Sequence, residues 1–445
     1  MVIPCGQAAP LHASERSRWR IWVLLACCAL LVAACDRTPR AKLDVEVPWA
    51  LGGAWMVLDT HTHTRFSDGA ETAEELVSRA LLAGCSALAI TDHGDMSQGA
   101  ATPEYFATIR KLRERLPEFV LFAGMEWNVP PYRGREHVTV LVHPDLEEAL
   151  LPEFKNSFDN VGRDVPEVQQ ALNWLDGRLN DRRHAVLIYN HPSRQDTDVA
   201  ENLADMRGWR AVSSLFVGFE GGPGHQNGVP PGAYNSTIPT QHRWDPAVAA
   251  VGGVWDTLLD GGESLWGALA VSDFHNDGYD YAPCAFARTH VRVPERTASG
   301  VLQGLRSGSF WADHGPMLNR LMFVVTADGL PRPASPGETV LLAPGQGAQA
   351  RITLDRSANA SNAPLDVEII GNCGNGKPGL IATYSLGPAD SELVHAISAP
   401  VAGADDSSCY VRARVAMTRG ENDRLLAYTN PVRLRLKPAS RTGKQ

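Results

Sequence analysis

Histidines and carboxylates recur where short apolar runs end. His61 and His63 follow the run that closes at Leu58, and Asp68 comes soon after in Ser67-Asp68-Gly69. Ile90-Thr91-Asp92-His93 closes the next run, and Phe122-Ala123-Gly124-Met125-Glu126 the one after it. Glu136-His137 opens Val138–Val142, Asn190-His191 closes Ala185–Tyr189, and Ser272-Asp273-Phe274-His275 closes Leu269–Val271. One such histidine or aspartate is ordinarily structural. A succession of them at strand ends is the pattern of a site assembled from several elements. Imidazole and carboxylate together are donors for Zn, Mn or Fe, and a carboxylate can bridge two ions. The alternation of His61 and His63 places both side chains on one face if the backbone is extended.

The elements that would position these residues are legible in the apolar spacing. Met56–Leu58, Ala87–Ile90, Phe119–Ala123, Val138–Val142, Ala185–Tyr189, Leu215–Phe219 and Leu269–Val271 read as buried strands. Ala73–Ala83 and Pro103–Leu116 have helical spacing, the first with Glu71, Glu74 and Glu75 around its first turn, where acids suit the helix dipole. Strands alternating with helices predict an α/β fold, a mainly parallel sheet or barrel with helices outside. After about Leu318 helical periodicity is lost. Arg320–Thr326, Gln349–Leu354, Leu365–Ile370, Cys409–Met417 and Leu425–Tyr428 are β-like runs divided by Gly, Pro, Asn and Asp. They predict a small C-terminal β-sandwich-like domain. The expected division is 1–35 signal and lipidation cysteine, 36–50 tether, 51–318 barrel, 319–437 β-rich domain and 438–445 tail.

Taken in order, His61-x-His63, Asp68, Thr91-Asp92-His93, Glu126, His137, His191 and Asp273-x-His275 resemble the PHP (polymerase and histidinol phosphatase) superfamily over about residues 56–280. The resemblance implies a distorted (βα)7 TIM-like barrel and two to three divalent metal ions. It implies one ion on His61, His63, Glu126 and Asp273, with Glu126 bridging to a second ion on His137 and His191. A third would lie on Asp68, His93 and His275. Glu126, Asp273 and His191 are then the catalytic residues. Asp92 becomes a partner that orients a ligand imidazole. His143 is an alternative to His137, which is favoured because it enters its strand directly. Phe219-Glu220-Gly221-Gly222-Pro223-Gly224-His225, Gly253–Leu259, His314-Gly315-Pro316 and Thr429-Asn430-Pro431 are similar to a narrower CehA/McbA-like branch that includes carbaryl hydrolases.

Close cations lower the pKa of a bridging water and make hydroxide available near neutral pH. Acting on phosphorus, that chemistry is phosphoester hydrolysis. Acting on a carbonyl, it is hydrolysis of a carbamate, amide or ester. A third reading is a lipoprotein that binds a ligand without catalysis. Arg194 and Arg65, near His191 and His63 in sequence, are candidates to hold a phosphate through the guanidinium fork. His225 is a candidate on a Gly-rich loop. The expected partner is a small phosphate ester.

The chain has 445 residues, 41 basic and 50 acidic, for a net charge of −9. That balance disfavours non-specific nucleic-acid binding. Arg16, Arg18 and Arg20 precede the apolar run Ile21–Ala34. A helix of that length rises roughly 21 Å, short of a roughly 30 Å hydrocarbon core, which reads as an export signal. Val32-Ala33-Ala34-Cys35 resembles the lipobox of bacterial lipoproteins. It predicts lipidation at Cys35 and a membrane-anchored protein facing the periplasm. Cys373 and Cys409 could pair in such a compartment, whereas Cys85 reads as a buried small hydrophobe.

Overall fold

The computed structural model describes residues 40–95, 99–130, 137–159, 168–194, 199–224, 242–400, 407–419 and 424–437. The first ten strands are β1 (Lys42–Val45), β2 (Ala54–Asp59), β3 (Ala87–Ile90), β4 (Val120–Ala123), β5 (Met125–Asn128), β6 (His137–Val142), β7 (Ala185–Asn190), β8 (Phe216–Phe219), β9 (Ala287–Val293) and β10 (Phe310–His314). Every residue of β3, β7 and β8 is buried, as their unbroken apolar runs require of strands covered on both faces. The helix Ala73–Leu82 starts at a capping box between Thr72 and Glu75 and buries Leu76, Val77 and Ala80.

The fold is mixed α/β. β2, β3 and β4 are parallel, and β9 and β10 extend the same sheet antiparallel on the other side of β2. A second sheet has the order β5-β6-β7-β8, parallel only between β7 and β8. The expectation of a mainly parallel sheet is therefore corrected. The connection from β5 to β6 is too short for a parallel crossover, which needs a dozen or more residues, so β6 must return antiparallel. Isolated bridges His93 to Glu126, Thr62 to Phe274, Gly218 to Trp266 and Gly222 to Ala270 join the segments around the β2 and β8 ends. This arrangement is consistent with a distorted barrel. Leu269–Val271, read from sequence as a strand, contributes only the bridge at Ala270.

The C-terminal part is rich in sheet, and the sheet does not stop at residue 318. β10 pairs with Arg424–Thr429, which pairs with Ser408–Thr418, so the β2-β3-β4 sheet runs on into this part. Leu318–Thr326, Ala348–Arg356 and Glu392–Ile397 form a separate three-stranded sheet. Phe323, Ile352, Val367, Val411 and Leu434 belong to the apolar core of this region. A buried ion pair ties it to the first part: Arg412 reaches Asp256 with Nε–Oδ1 2.9 Å and Nη2–Oδ2 3.0 Å. The expected tether is also corrected from residue 41 onward. β1 pairs antiparallel with Thr339–Leu342, and Asp44 pairs with Arg435.

Both cysteine pairs beyond the N-terminal segment are joined. Cys373–Cys409 forms as the sequence allowed. Cys85 is not a free hydrophobe but bonds to Cys284 across 199 residues. Its apolar surroundings are real, since both cysteines are buried, and a partner so distant in sequence leaves no local signature. The signal, the lipobox and Cys35 lie outside the described residues, as does the 438–445 tail. Among the described residues, no helix is long and apolar enough to cross a membrane.

Candidate metal centre

The ligand candidates converge because each sits just past, or at the edge of, a strand at one end of the sheets. β2 leads into His61 and His63, whose backbone is pinned by His63 N–H donating to Phe274 O at 2.9 Å. β3 leads into His93, β5 carries Glu126, β6 starts at His137 and β7 leads into His191. Asp273 and His275 follow the Ala270 bridge. His191 and Asp273 adopt positive φ values of 31° and 46°. Non-glycine residues hold that conformation only where surrounding structure enforces it, a cost that clusters at functional sites.

Glu126 is the hub. Its Oε1 lies 3.2 Å from His61 Nε2, 2.9 Å from His137 Nδ1 and 3.3 Å from His191 Nε2. Its Oε2 lies 3.3 Å from His63 Nε2 and 3.2 Å from His93 Nδ1. Asp273 Oδ1 is 3.2 Å from both His61 Nε2 and His63 Nε2, and those two nitrogens are 3.0 Å apart. Metal–ligand bonds of about 2.0–2.1 Å place neighbouring donors of a tetrahedral site about 3.3 Å apart. The observed spacings fit a shared coordination shell. His93 Nδ1 is buried and makes no hydrogen bond despite its 3.2 Å approach to Glu126. Burial disfavours the Glu126 carboxylate, but His61, His137 and His93 outweigh it and hold the group well below the usual carboxylate range. Burial, with Arg194 nearby, holds His191 well below the ordinary imidazole range, so its ring is neutral and free to donate a lone pair. The donor set fits divalent cations.

The grouping differs from the one the resemblance implies. Donor atoms gather as His63, Asp68, His93 and His275; as His61, His191 and Asp273; as His61, His63 and Glu126; and as His93, Glu126 and His137. All nine expected ligands are thus brought together. His191, however, groups with His61 and Asp273, and His93 is shared between Glu126 and Asp68. A neutral imidazole has one lone pair, so His61, His63 and His93, each in two groups, can each serve one ion only.

The remaining candidates divide. Arg194 reaches the centre, where its Nη2 is paired with Asp273 Oδ2. Arg65 does not: it is exposed, and its Nε donates to Ala70 O at 2.7 Å. His225 lies outside the described residues. His143 caps the helix Pro144–Phe158 and takes no part. Asp92 does not orient an imidazole directly. It accepts Thr64 N–H and Thr64 Oγ1–H, each at 2.7 Å, and Ser67 Oγ–H at 2.5 Å. It therefore fixes the His63–Asp68 turn, a role that only the folded chain reveals.

Three further residues support the centre, none of them expected as a site residue from the sequence. Glu220 Oε1 is 2.8 Å from His61 Nδ1, and its Oε2 accepts His191 N–H at 2.9 Å. Asn190 Nδ2 donates to Glu126 Oε1 at 2.8 Å. Asp59 accepts His61 N–H and Ser272 N–H at 3.1 and 2.9 Å. Each is a polar residue closing a strand, the same signal that exposed the ligands. Glu220 fixes the His61 tautomer so that Nε2 faces the centre. Glu220→Gln is expected to weaken metal affinity about 10–100-fold, measured by competition with a chromogenic chelator.

Comparison with known proteins bears on the same strand ends. Residues 59–193 match the PHP domain. The matched segment contains His61, His63, Asp68, His93, Glu126, His137 and His191. A probable phosphatase of Thermoanaerobacter sp. (strain X514) is 36% identical over 97 residues, 22% of this chain and 36% of the relative. The chain thus spans about a third of that relative's length. An uncharacterized protein of Methanocaldococcus jannaschii is 29% identical over 184 residues, 38% of this chain and 70% of the relative. A solved two-domain protein from Bacteroides vulgatus, described as containing a PHP-like metal-dependent phosphoesterase, superposes with a TM-score of 0.44 at 15% identity, over 88% of this chain and all of that one.

Proposed function

We propose that the protein is a metal-dependent hydrolase, specifically a phosphoesterase acting on a small phosphorylated substrate. The observation that carries this reading is Glu126, whose two oxygens lie 2.9–3.3 Å from five imidazole nitrogens. The match to the PHP domain and the phosphatase names of sequence relatives support it. His61, His63, His191 and Asp273, with Glu126 and His137, would hold the central ions, and Asp68, His93 and His275 a further one. Bound there, Zn, Mn or Fe would supply a hydroxide nucleophile and charge stabilisation.

The chain's own residues set the geometry. Glu126 bridges the two halves of the cluster and Asn190 fixes its carboxylate. Glu220 and Asp59 hold the His61 ring and backbone. Arg194, braced on Asp273, presents its guanidinium where a phosphoryl oxygen would need a cation. The test is a panel of phosphomonoesters, phosphodiesters and aryl carbamates with metal-loaded protein. Turnover of phosphomonoesters supports the reading. Turnover of carbamates alone replaces it with the carbonyl hydrolase, and no turnover at full metal content replaces it with a binding protein.

We also propose that the chain is exported and lipid-anchored through Cys35, with the catalytic part facing the periplasm. Cys35→Ser is expected to move the protein from the membrane to the soluble fraction. Continued sedimentation with membranes would instead indicate an uncleaved helix.

A further inference from the structure

A second cluster lies at the metal end of the sheet. β9 runs antiparallel to β2, and β10 to β9, so the start of β9 and the end of β10 lie beside the end of β2 that leads to His61. Phe286 immediately precedes β9, and His314 ends β10. Tyr281 comes from the segment that follows His275 and stacks on Phe286 with centroids 4.2 Å apart. Arg243 lies over both rings, its Cζ 5.3 Å from the Tyr281 centroid and 5.1 Å from that of Phe286. His314 packs on Phe286 and Trp244 at 5.0 and 4.8 Å. Among the described residues, the segment 222–224 packs against both this cluster and the strand end that carries Asp273. A Cβ on Gly222 would lie 2.6 Å from His314 Nε2, and one on Gly224 would overlap Ser272 O, next to Asp273.

Arg243 is the anomaly. It is 5% exposed, yet among the described residues its guanidinium has neither a hydrogen bond nor a carboxylate in ion-pair reach, and its buried Nη1 has no partner. Its backbone φ is 57°, a conformation a non-glycine side chain holds at a cost. Buried guanidinium groups normally carry a paired anion, because desolvating the charge is expensive. The two rings offer cation–π contact, which fixes the plane of the group without using its N–H donors. His314 beside it is buried, with both ring nitrogens unpartnered, and burial together with Arg243 lowers it to about 3, so it adds no second charge.

We propose that Arg243 recognises a second anionic group on the substrate, a carboxylate or a further phosphate, while the scissile phosphate sits on the metal centre. The inference rests on the phosphoesterase reading for the position of that first phosphate. It narrows the substrate class to small phosphate esters that carry another anion.

The test is calorimetric binding to metal-loaded protein, which needs no turnover. Phosphonocarboxylates with spacers of differing length are compared with alkylphosphonates of the same length, and α,ω-bisphosphonates form the second arm. At one spacer length the ligand with the anionic tail is expected to bind about tenfold or more tightly than its alkyl match. The stronger arm identifies carboxylate or phosphate. Arg243→Gln should abolish the advantage, and Arg243→Lys, which keeps the charge without the fork, should keep part of it. The inference is wrong if no ligand outbinds its alkyl match in the unmodified protein. It is equally wrong if the advantage survives in Arg243→Gln of unchanged metal content. The unmodified protein and Arg243→Lys decide the matter if Arg243→Gln does not fold. A tail advantage without turnover of any phosphate ester removes the phosphoesterase reading and keeps the anion site. Turnover without an advantage does the reverse.

Discussion

Glu126→Ala is expected to lower kcat by about 10³-fold, the scale of losing a main electrostatic support of a transition state. The size of the effect follows from position. Glu126 is 1% exposed, and its oxygens approach His61, His63, His93, His137 and His191. No other carboxylate among the described residues approaches so many of the nine candidate ligands. Removing it takes away the one carboxylate that belongs to two of the four donor groups among the described residues. Metal content, measured by elemental analysis on the same sample, should fall with activity. Glu126→Gln keeps the volume and removes the charge, and should also fail. Near-normal turnover and metal content in either variant would remove Glu126 from the bridging position.

Metal removal should have the second large effect, on stability. Glu126 and Asp273 are buried with at most 1% exposure, among histidines that need their lone pairs directed at a cation. Buried charge is costly to desolvate, and ligand binding to the folded state offsets that cost by mass action. At a free metal concentration 100 times Kd, one site contributes about 2.7 kcal/mol. Chelated protein should therefore unfold several degrees below metal-loaded protein in a calorimetric scan. Return of the transition on adding Zn or Mn completes the cycle. A Tm indifferent to chelator would mean that the cluster is held without cations.

The apolar runs that became strands were legible because burial on both faces leaves little choice of residue. Ala87–Ile90 matched residue for residue, and Val138–Val142 and Ala185–Tyr189 needed one more residue each. The candidate ligands were legible for a related reason. An apolar core gives no cause for histidines and acids to recur at the ends of its strands, whereas a shared cation does. What local sequence does not encode is which strand end faces which. His191 therefore lies with His61 and Asp273 as well as beside Glu126. Cys85 found Cys284, and Asp92 turned to Thr64 and Ser67. Glu220 was visible within a motif, but its hydrogen bond to His61 spans 159 positions, a relation set by the sheet and not by spacing. The antiparallel direction of β6 was not legible, because strand direction depends on the length and path of connections, which apolar periodicity does not report.

The central claim is that this histidine–carboxylate cluster is a metal centre that hydrolyses phosphate esters. It is tested most directly by titrating chelated protein with metal while following phosphate release from a monoester that carries a carboxylate. Activity should rise from background and level off between two and three equivalents of bound metal per chain. Phosphate release that is unchanged by chelation, or its absence at full metal content, would contradict the account.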